Sequence, residues 1–179
     1  MSVRKLVVCA MCVAVAVVTN LIRIYTFPFG GSVTLFSMLF IMLPSWLYGV
    51  REGTLTGLIF GILQFIIEPF VISPIQFILD YLIAFSIMGI SGFFRNKKSG
   101  LITGYIVAVI SRWIIATLAG LEWFKVGSVA WEGWSPLPYS MAYNAIYIFA
   151  EAVITVIILL IPAMRKALEN ARHTANLKP

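Results

Sequence analysis

Asp80, Arg112 and Glu151 each sit inside an apolar run of this 179-residue chain, too far in to be read as the charged end of a span. Asp80 belongs to Ser73-Pro74-Ile75-Gln76-Phe77-Ile78-Leu79-Asp80-Tyr81, which opens one such run. An aspartate at the centre of a membrane helix costs about 2.5 to 3.5 kcal/mol on insertion scales, so a retained one is usually paired, wet or functional. Pro74 suits a helix start, because the first amides of a helix have no intrahelical partner to lose. A rise of ~1.5 Å per residue then sets Asp80 about 9 Å below that start. Two chemistries fit the acid: a structural carboxylate bonded to a neighbouring helix, or the counter-charge of a cationic ligand. The same count sets Arg112 about 15 Å and Glu151 about 19 Å from the outer ends of their runs. Those two are predicted to form a structural pair on adjacent antiparallel spans, one that cannot lose a member cheaply. Asp80 is left without an evident protein cation, and a positively charged substrate would complete it.

Aromatic residues gather on the same side. Tyr81, Trp113, Trp123, Trp131, Trp134, Tyr139, Tyr143 and Tyr147 lie toward the outer ends of the last three apolar runs, whose inner ends hold no Trp or Tyr apart from Tyr105. Interfacial belts of Trp and Tyr occur at both membrane faces, so the one-sided set also fits a cage for an organic cation, each ring contributing roughly 0.5 to 2 kcal/mol. Asn144 can orient such a ligand through its amide, or equally bond a helix neighbour. Ala10 and Ala14 form a small-xxx-small pair on the first run, for which internal packing is the default reading and a partner interface the second. The chain has no GxxxxGK[ST] phosphate loop, so any ATP chemistry is expected of another subunit. The one histidine, His173, has no second His or Cys near it, and neither metal nor cofactor is expected. An intramembrane enzyme using Asp80 as acid or base is disfavoured, because no second carboxylate, His or Ser is expected at its depth. A membrane scaffold or sensor is the third reading.

These residues need elements to hold them, and composition says which. The chain is 61% hydrophobic and 11% charged, with a mean hydropathy of +0.98, whereas soluble domains run near one quarter charged. At about 20 apolar residues per crossing it has room for six spans and no soluble domain. The expected spans are 6–25, 34–50, 54–67, 75–94, 101–123 and 139–161, separated by Pro28, Gly30 and Gly31, by Arg51-Glu52-Gly53, by Pro69 to Pro74, by Arg95 to Gly100, and by a longer loop with Gly127, Gly133, Pro136 and Pro138. The first run is too long for a signal-peptide core and is read as a retained span. Cys9 and Cys12 both lie in it, where they are read as small packing residues. The net charge of +6 is scattered at the ends of apolar runs instead of forming one polar face, which excludes nucleic acid as a partner.

Ten of the thirteen basic residues fall on the N-terminus, the turns after spans two and four, and the tail. Basic loops stay cytoplasmic, so both termini are expected inside, and the Asp80 end of span four outside. The expectation is an all-α, multi-pass plasma-membrane protein of six transmembrane helices. Residues 1–179 form one integral membrane domain in the lipid bilayer, with 162–179 as a basic cytoplasmic tail.

GGSVTLFSMLF at 30–40, LQFIIEPF at 63–70, SPIQFILDYLIAF at 73–85, GFFRNKK at 92–98, YSMAYNAIYI at 139–148 and EAVITVIILLIPAMRKAL at 151–168 together resemble the thiamine-transporter family. Its members are substrate-capture subunits, or S components, of energy-coupling factor (ECF) transporters. The likeness runs in order along nearly the whole chain. It implies an S-component-like six-helix bundle that takes thiamine or a close analogue from outside and docks to a membrane coupling subunit carrying two ATPases. It also implies that Ala10 and Ala14 make that contact, and that the loaded subunit tips over in the bilayer to release its ligand. Asp80 and Tyr81 match the family's acidic-Tyr pair, Tyr139 and Asn144 its Tyr and Asn five apart, and either Trp131 or Trp134 its stacking aromatic. Ala116 and Phe70 stand where the resemblance implies a histidine and a tyrosine. Losing a hydrogen-bonding group shifts ligand choice, because the matching ligand atom is left unpaired.

Overall fold

The computed structural model describes residues 1–125 and 133–176. In chain order these form α1 (Val3–Leu21), a hairpin of β1 (Arg23–Thr26) and β2 (Ser32–Thr34), α2 (Ser37–Tyr48), α3 (Val50–Ile67), α4 (Pro74–Phe94), α5 (Gly100–Lys125), α6 (Pro136–Leu160) and α7 (Pro162–Asn176). Five of the helices, α1, α3, α4, α5 and α6, are long and apolar enough to cross a bilayer. The architecture is that of an all-helical, multi-pass membrane protein with one small hairpin at its rim.

The second expected span is the exception. α2 has only 12 residues, about 18 Å at ~1.5 Å per residue, against a hydrocarbon core of about 30 Å. Ten of those residues are buried. Short as it is, α2 carries the chain from the hairpin to the end where Lys5 meets Glu52, as a central segment covered by its neighbours. α1, α3, α4, α5 and α7 all pack on it, and Met38, Ile41 and Met42 meet Phe60, Met88, Tyr105 and Ile148 in the centre of the bundle. α1 turns Cys9, Cys12, Val13 and Ala16 inward, with both cysteines free thiols, and leaves Ala10 and Ala14 exposed on its outer side.

A helix that stops short inside a bundle must still satisfy its end amides. Glu151 on α6 does so. Its carboxylate accepts the Met38 amide at 2.9 Å, the Thr34 hydroxyl at 2.7 Å and the Ser37 hydroxyl at 3.0 Å, sealing the N-terminus of α2, where the helix dipole favours a negative charge. The expected pair between Glu151 and Arg112 is therefore not formed. Among the described residues the ion pairs are Lys5 with Glu52 and Arg23 with Glu68, and the Arg112 guanidinium lies over the Phe85 ring, 4.6 Å from its centroid. Arg112 and Glu151 face the same cavity, but the open end of α2 takes the carboxylate's hydrogen bonds.

The segment expected as a plain loop at Pro28 to Gly31 is the tip of the hairpin. Tyr25 pairs with Val33 and Thr26 with Ser32. Tyr143 of α6 clasps the tip, its hydroxyl donating to the Pro28 carbonyl and accepting the Gly31 amide at 2.9 Å. A Cβ on Gly31 would lie 2.7 Å from that hydroxyl and 2.9 Å from the Tyr147 ring, so any larger residue there would push these side chains aside. The tail is also ordered further than expected: α7 is helical, and its Leu168 and Ala175 pack on the core.

Removing the seal on α2 leaves the Met38 amide and one hydroxyl buried without an acceptor, since Thr34 and Ser37 lie 3.0 Å apart and can bond each other, and each unsatisfied group costs about 1 to 3 kcal/mol. Glu151→Ala is expected to lower the melting temperature in detergent by at least about 6 °C, and Thr34→Ala by clearly less. Equal melting of Glu151→Ala and wild type would show that the carboxylate does not hold the helix.

Candidate ligand-binding site

A cavity of about 1020 Å³, counted with the solvent at its open mouth, lies under the hairpin and between α3, α4, α5 and α6. Asp80, Tyr81, Asn144, Arg112 and Glu151 all line it, so residues from three separate helices share one wall. Phe29, Phe124, Tyr143 and Tyr147 add aromatic surface, and Ala116 and Phe70 are also part of the wall.

Asp80 arrives there through an irregular helix. Ser73 caps α4 by accepting the Gln76 amide at 3.0 Å, and a π-helical turn spans Ile78–Ile83, with the Ala84 amide bonded to the Leu79 carbonyl five residues back. Such a turn carries one residue more than an α turn and is frequent at functional sites. α3 presses against it at glycine: a Cβ on Gly61 would stand 1.8 Å from the Tyr81 carbonyl. The Asp80 carboxylate accepts one hydrogen bond, from the buried Gln76 amide at 2.9 Å on Oδ2. Among the described residues Oδ1 accepts none, and no cation stands within ion-pairing distance. A carboxylate has about four acceptor sites, so most of its capacity faces the cavity.

The other residues divide by what they touch. Tyr81 lines the cavity with its ring, but its hydroxyl is bound to the α3–α4 connection, donating to the Glu68 carbonyl at 2.8 Å and accepting the Phe70 amide at 3.0 Å. Asn144 donates to the Ser140 carbonyl at 2.9 Å and accepts the Tyr147 hydroxyl at 2.5 Å, which fixes the Tyr147 ring at the wall. Tyr139, expected at the ligand, is one layer behind, packed edge-on to Phe124 with ring centroids 4.5 Å apart. The reason is register: Tyr143, one turn further along α6, takes the cavity-facing position. Trp113, also expected there, ties α5 to α6 from outside the cavity, its indole N–H donating to the Met141 carbonyl at 3.1 Å. Trp134 is 46% exposed and is not part of the wall. Trp131 and the side chain of Trp123 lie outside the described residues.

Sequence reasoning missed Gln76, although its place four residues before Asp80 on one helix is the spacing of an interacting pair. It also missed the chain of polar residues at the mouth. Asn20 donates to Gln64 at 2.8 Å, Gln64 to Glu68 at 3.3 Å, and Arg23 of the hairpin pairs with Glu68. Local spacing marks only its Gln64–Glu68 link, because Asn20 and Arg23 come from α1 and β1.

Comparison with known proteins gives the arrangement a context. The model of the family described as "Thiamine transporter protein (Thia_YuaJ)" matches residues 6–170. The thiamine transporter ThiT of Bacillus subtilis (strain 168) is 33% identical over 171 residues, covering 87% of this chain and 88% of the relative. The solved structure of ThiT from Listeria monocytogenes superposes with a TM-score of 0.71 over 89% of this chain and 96% of that one, at 23% identity, a likeness of fold. With a family model spanning nearly the whole sequence and a curated relative over most of its length, the chain belongs to the thiamine transporter family.

Proposed function

We propose that this protein is the substrate-capture subunit of an ECF-type vitamin importer, taking up thiamine or a close analogue from outside the cell. The observation that carries the reading is Asp80: a carboxylate in a cavity wall, bonded once by Gln76 and otherwise open to the cavity. A cationic ring seated there gains a charge partner in a site largely withdrawn from water, and the rings of Tyr81, Phe124, Tyr143 and Tyr147 supply faces for it. The family and the Bacillus relative are named as transporters, which supports a carrier over an enzyme. The basic turns lie at the end of the bundle opposite the cavity, which supports a cavity opening outward.

Two wall positions bear on ligand choice. Ala116 and Phe70 present no hydrogen-bonding group where the resemblance implies His and Tyr. A ligand with fewer polar atoms than thiamine, or thiamine held more loosely, fits such a wall. In this reading Asp80 binds the charge, Tyr81 stiffens the rim, Asn144 sets Tyr147, and Trp131 or Trp134 closes over the ligand. Tyr139 and Trp113 then act as support. Docking to a membrane coupling subunit with two ATPases is assigned to the outer side of α1, where Ala10 and Ala14 allow close helix approach.

Thiamine added to purified protein is expected to quench intrinsic Trp fluorescence, and Asp80→Asn to weaken that response at least about thirtyfold, the loss of a buried charge partner, with little change in melting temperature. No response to thiamine, its phosphates or its pyrimidine precursor would refute the assignment. Ala10→Trp with Ala14→Trp is expected to leave ligand binding unchanged and to abolish co-purification with the coupling subunit and ATPases. Retained co-purification would move the interface elsewhere.

A further inference from the structure

A second hollow opens at the other end of the bundle, about 590 Å³ counted to its mouth. The loop between α4 and α5, the first turn of α5 and the inner side of α7 enclose it. Lys97, Lys98, Arg165 and Arg172 line it, against the single carboxylate of Glu169. Among the described residues Lys97, Lys98 and Arg165 have no carboxylate within ion-pairing distance. Arg172 stacks over Trp46, 4.8 Å from the ring centroid. Burial and the nearby Arg95 guanidinium push Arg172 below the ordinary arginine value, with Glu169 acting the other way. Ser99 and the turn from Gly100 to Ile102 complete the wall, and the amides of a first helical turn point toward anions. Cations crowded around an empty volume repel one another unless an anion enters it.

The position narrows the source of that anion. α7 follows the membrane-crossing α6 directly and puts Leu168 and Ala175 on the protein core. It leaves Met164 exposed beside Arg165 and Lys166, the make-up of a helix lying in a membrane interface. We propose that this hollow binds a phosphate-bearing anion, and that the headgroup of an acidic phospholipid of the adjoining leaflet is its occupant. The lipid would tie α7 to the α4–α5 loop and so brace the end of the bundle away from the ligand cavity.

The test uses the full chain in neutral detergent, titrated with short-chain phosphatidylglycerol, short-chain phosphatidylcholine or inorganic phosphate and followed by thermal unfolding. Phosphatidylglycerol is expected to raise the melting temperature, and phosphatidylcholine to do so far less. Lys98→Gln with Arg165→Gln should need about tenfold more phosphatidylglycerol for the same shift, and Lys98→Arg no more than wild type. Both side chains are exposed, so the double variant should melt like wild type without lipid. Inorganic phosphate acting at the same concentrations as the lipid would support the phosphate site and make a soluble phosphate its occupant. Equal shifts from both lipids, or an undiminished response to phosphatidylglycerol in the double variant, would overturn the proposal.

Discussion

The buried carboxylate of Glu151 on the amide end of α2 is the contact on which the rest of the molecule turns. α2 is short and buried, and its first amides open inside the bundle, where an unsatisfied amide is costly. Glu151 supplies the acceptor, and the positive end of the helix together with two hydroxyl donors stabilises the charge. Because Thr34 is one of those donors, the same contact seats the base of the hairpin. The shortness of α2 thus leaves a volume above it, and the carboxylate that closes the helix also forms part of that volume's wall.

Around this anchor, two kinds of approach shape the cavity. Glycine lets backbones meet: Gly61 admits the Tyr81 carbonyl from the π-helical turn, and Gly31 admits the Tyr143 hydroxyl. Hydrogen bonds then hold the rim, from Tyr81 to the α3–α4 connection and from Arg23 to Glu68 across to the hairpin. The charged groups on the wall differ in how far they are satisfied. Glu151 is held by three donor groups and Arg112 rests on a ring face, while Asp80 has a single amide. The proposal that a cationic ligand binds at Asp80 rests on that inequality.

The opposite end follows another logic. Arg95 from the end of α4 donates to the Leu47 and Tyr48 carbonyls, closing the C-terminus of α2, and Lys5 pairs with Glu52. Some of the basic residues that mark membrane orientation therefore also do structural duty, whereas Lys97, Lys98 and Arg165 surround a hollow. α2 is consequently closed at its amide end by an acid and at its carbonyl end by a base, both supplied by other helices.

Composition and the spacing of apolar runs were enough for the membrane class, for the elements from α3 to α6 within a few residues, and for the singling out of Asp80, because hydropathy and the cost of a buried charge are local properties. The ordered segments quoted along the chain carried the family. What stayed hidden was set between elements: that the second apolar run holds a short helix buried at the centre of the bundle, that Glu151 bonds α2 instead of Arg112, that Gln76 serves Asp80, and that Tyr143 and Tyr147 face the cavity while Tyr139 and Trp113 do not line it. Sequence fixes how deep a side chain lies along its helix. Only the packed bundle fixes the direction it points and the partner it meets, because helix rotation, the π-helical turn and close approach at glycine are settled by contacts among distant segments.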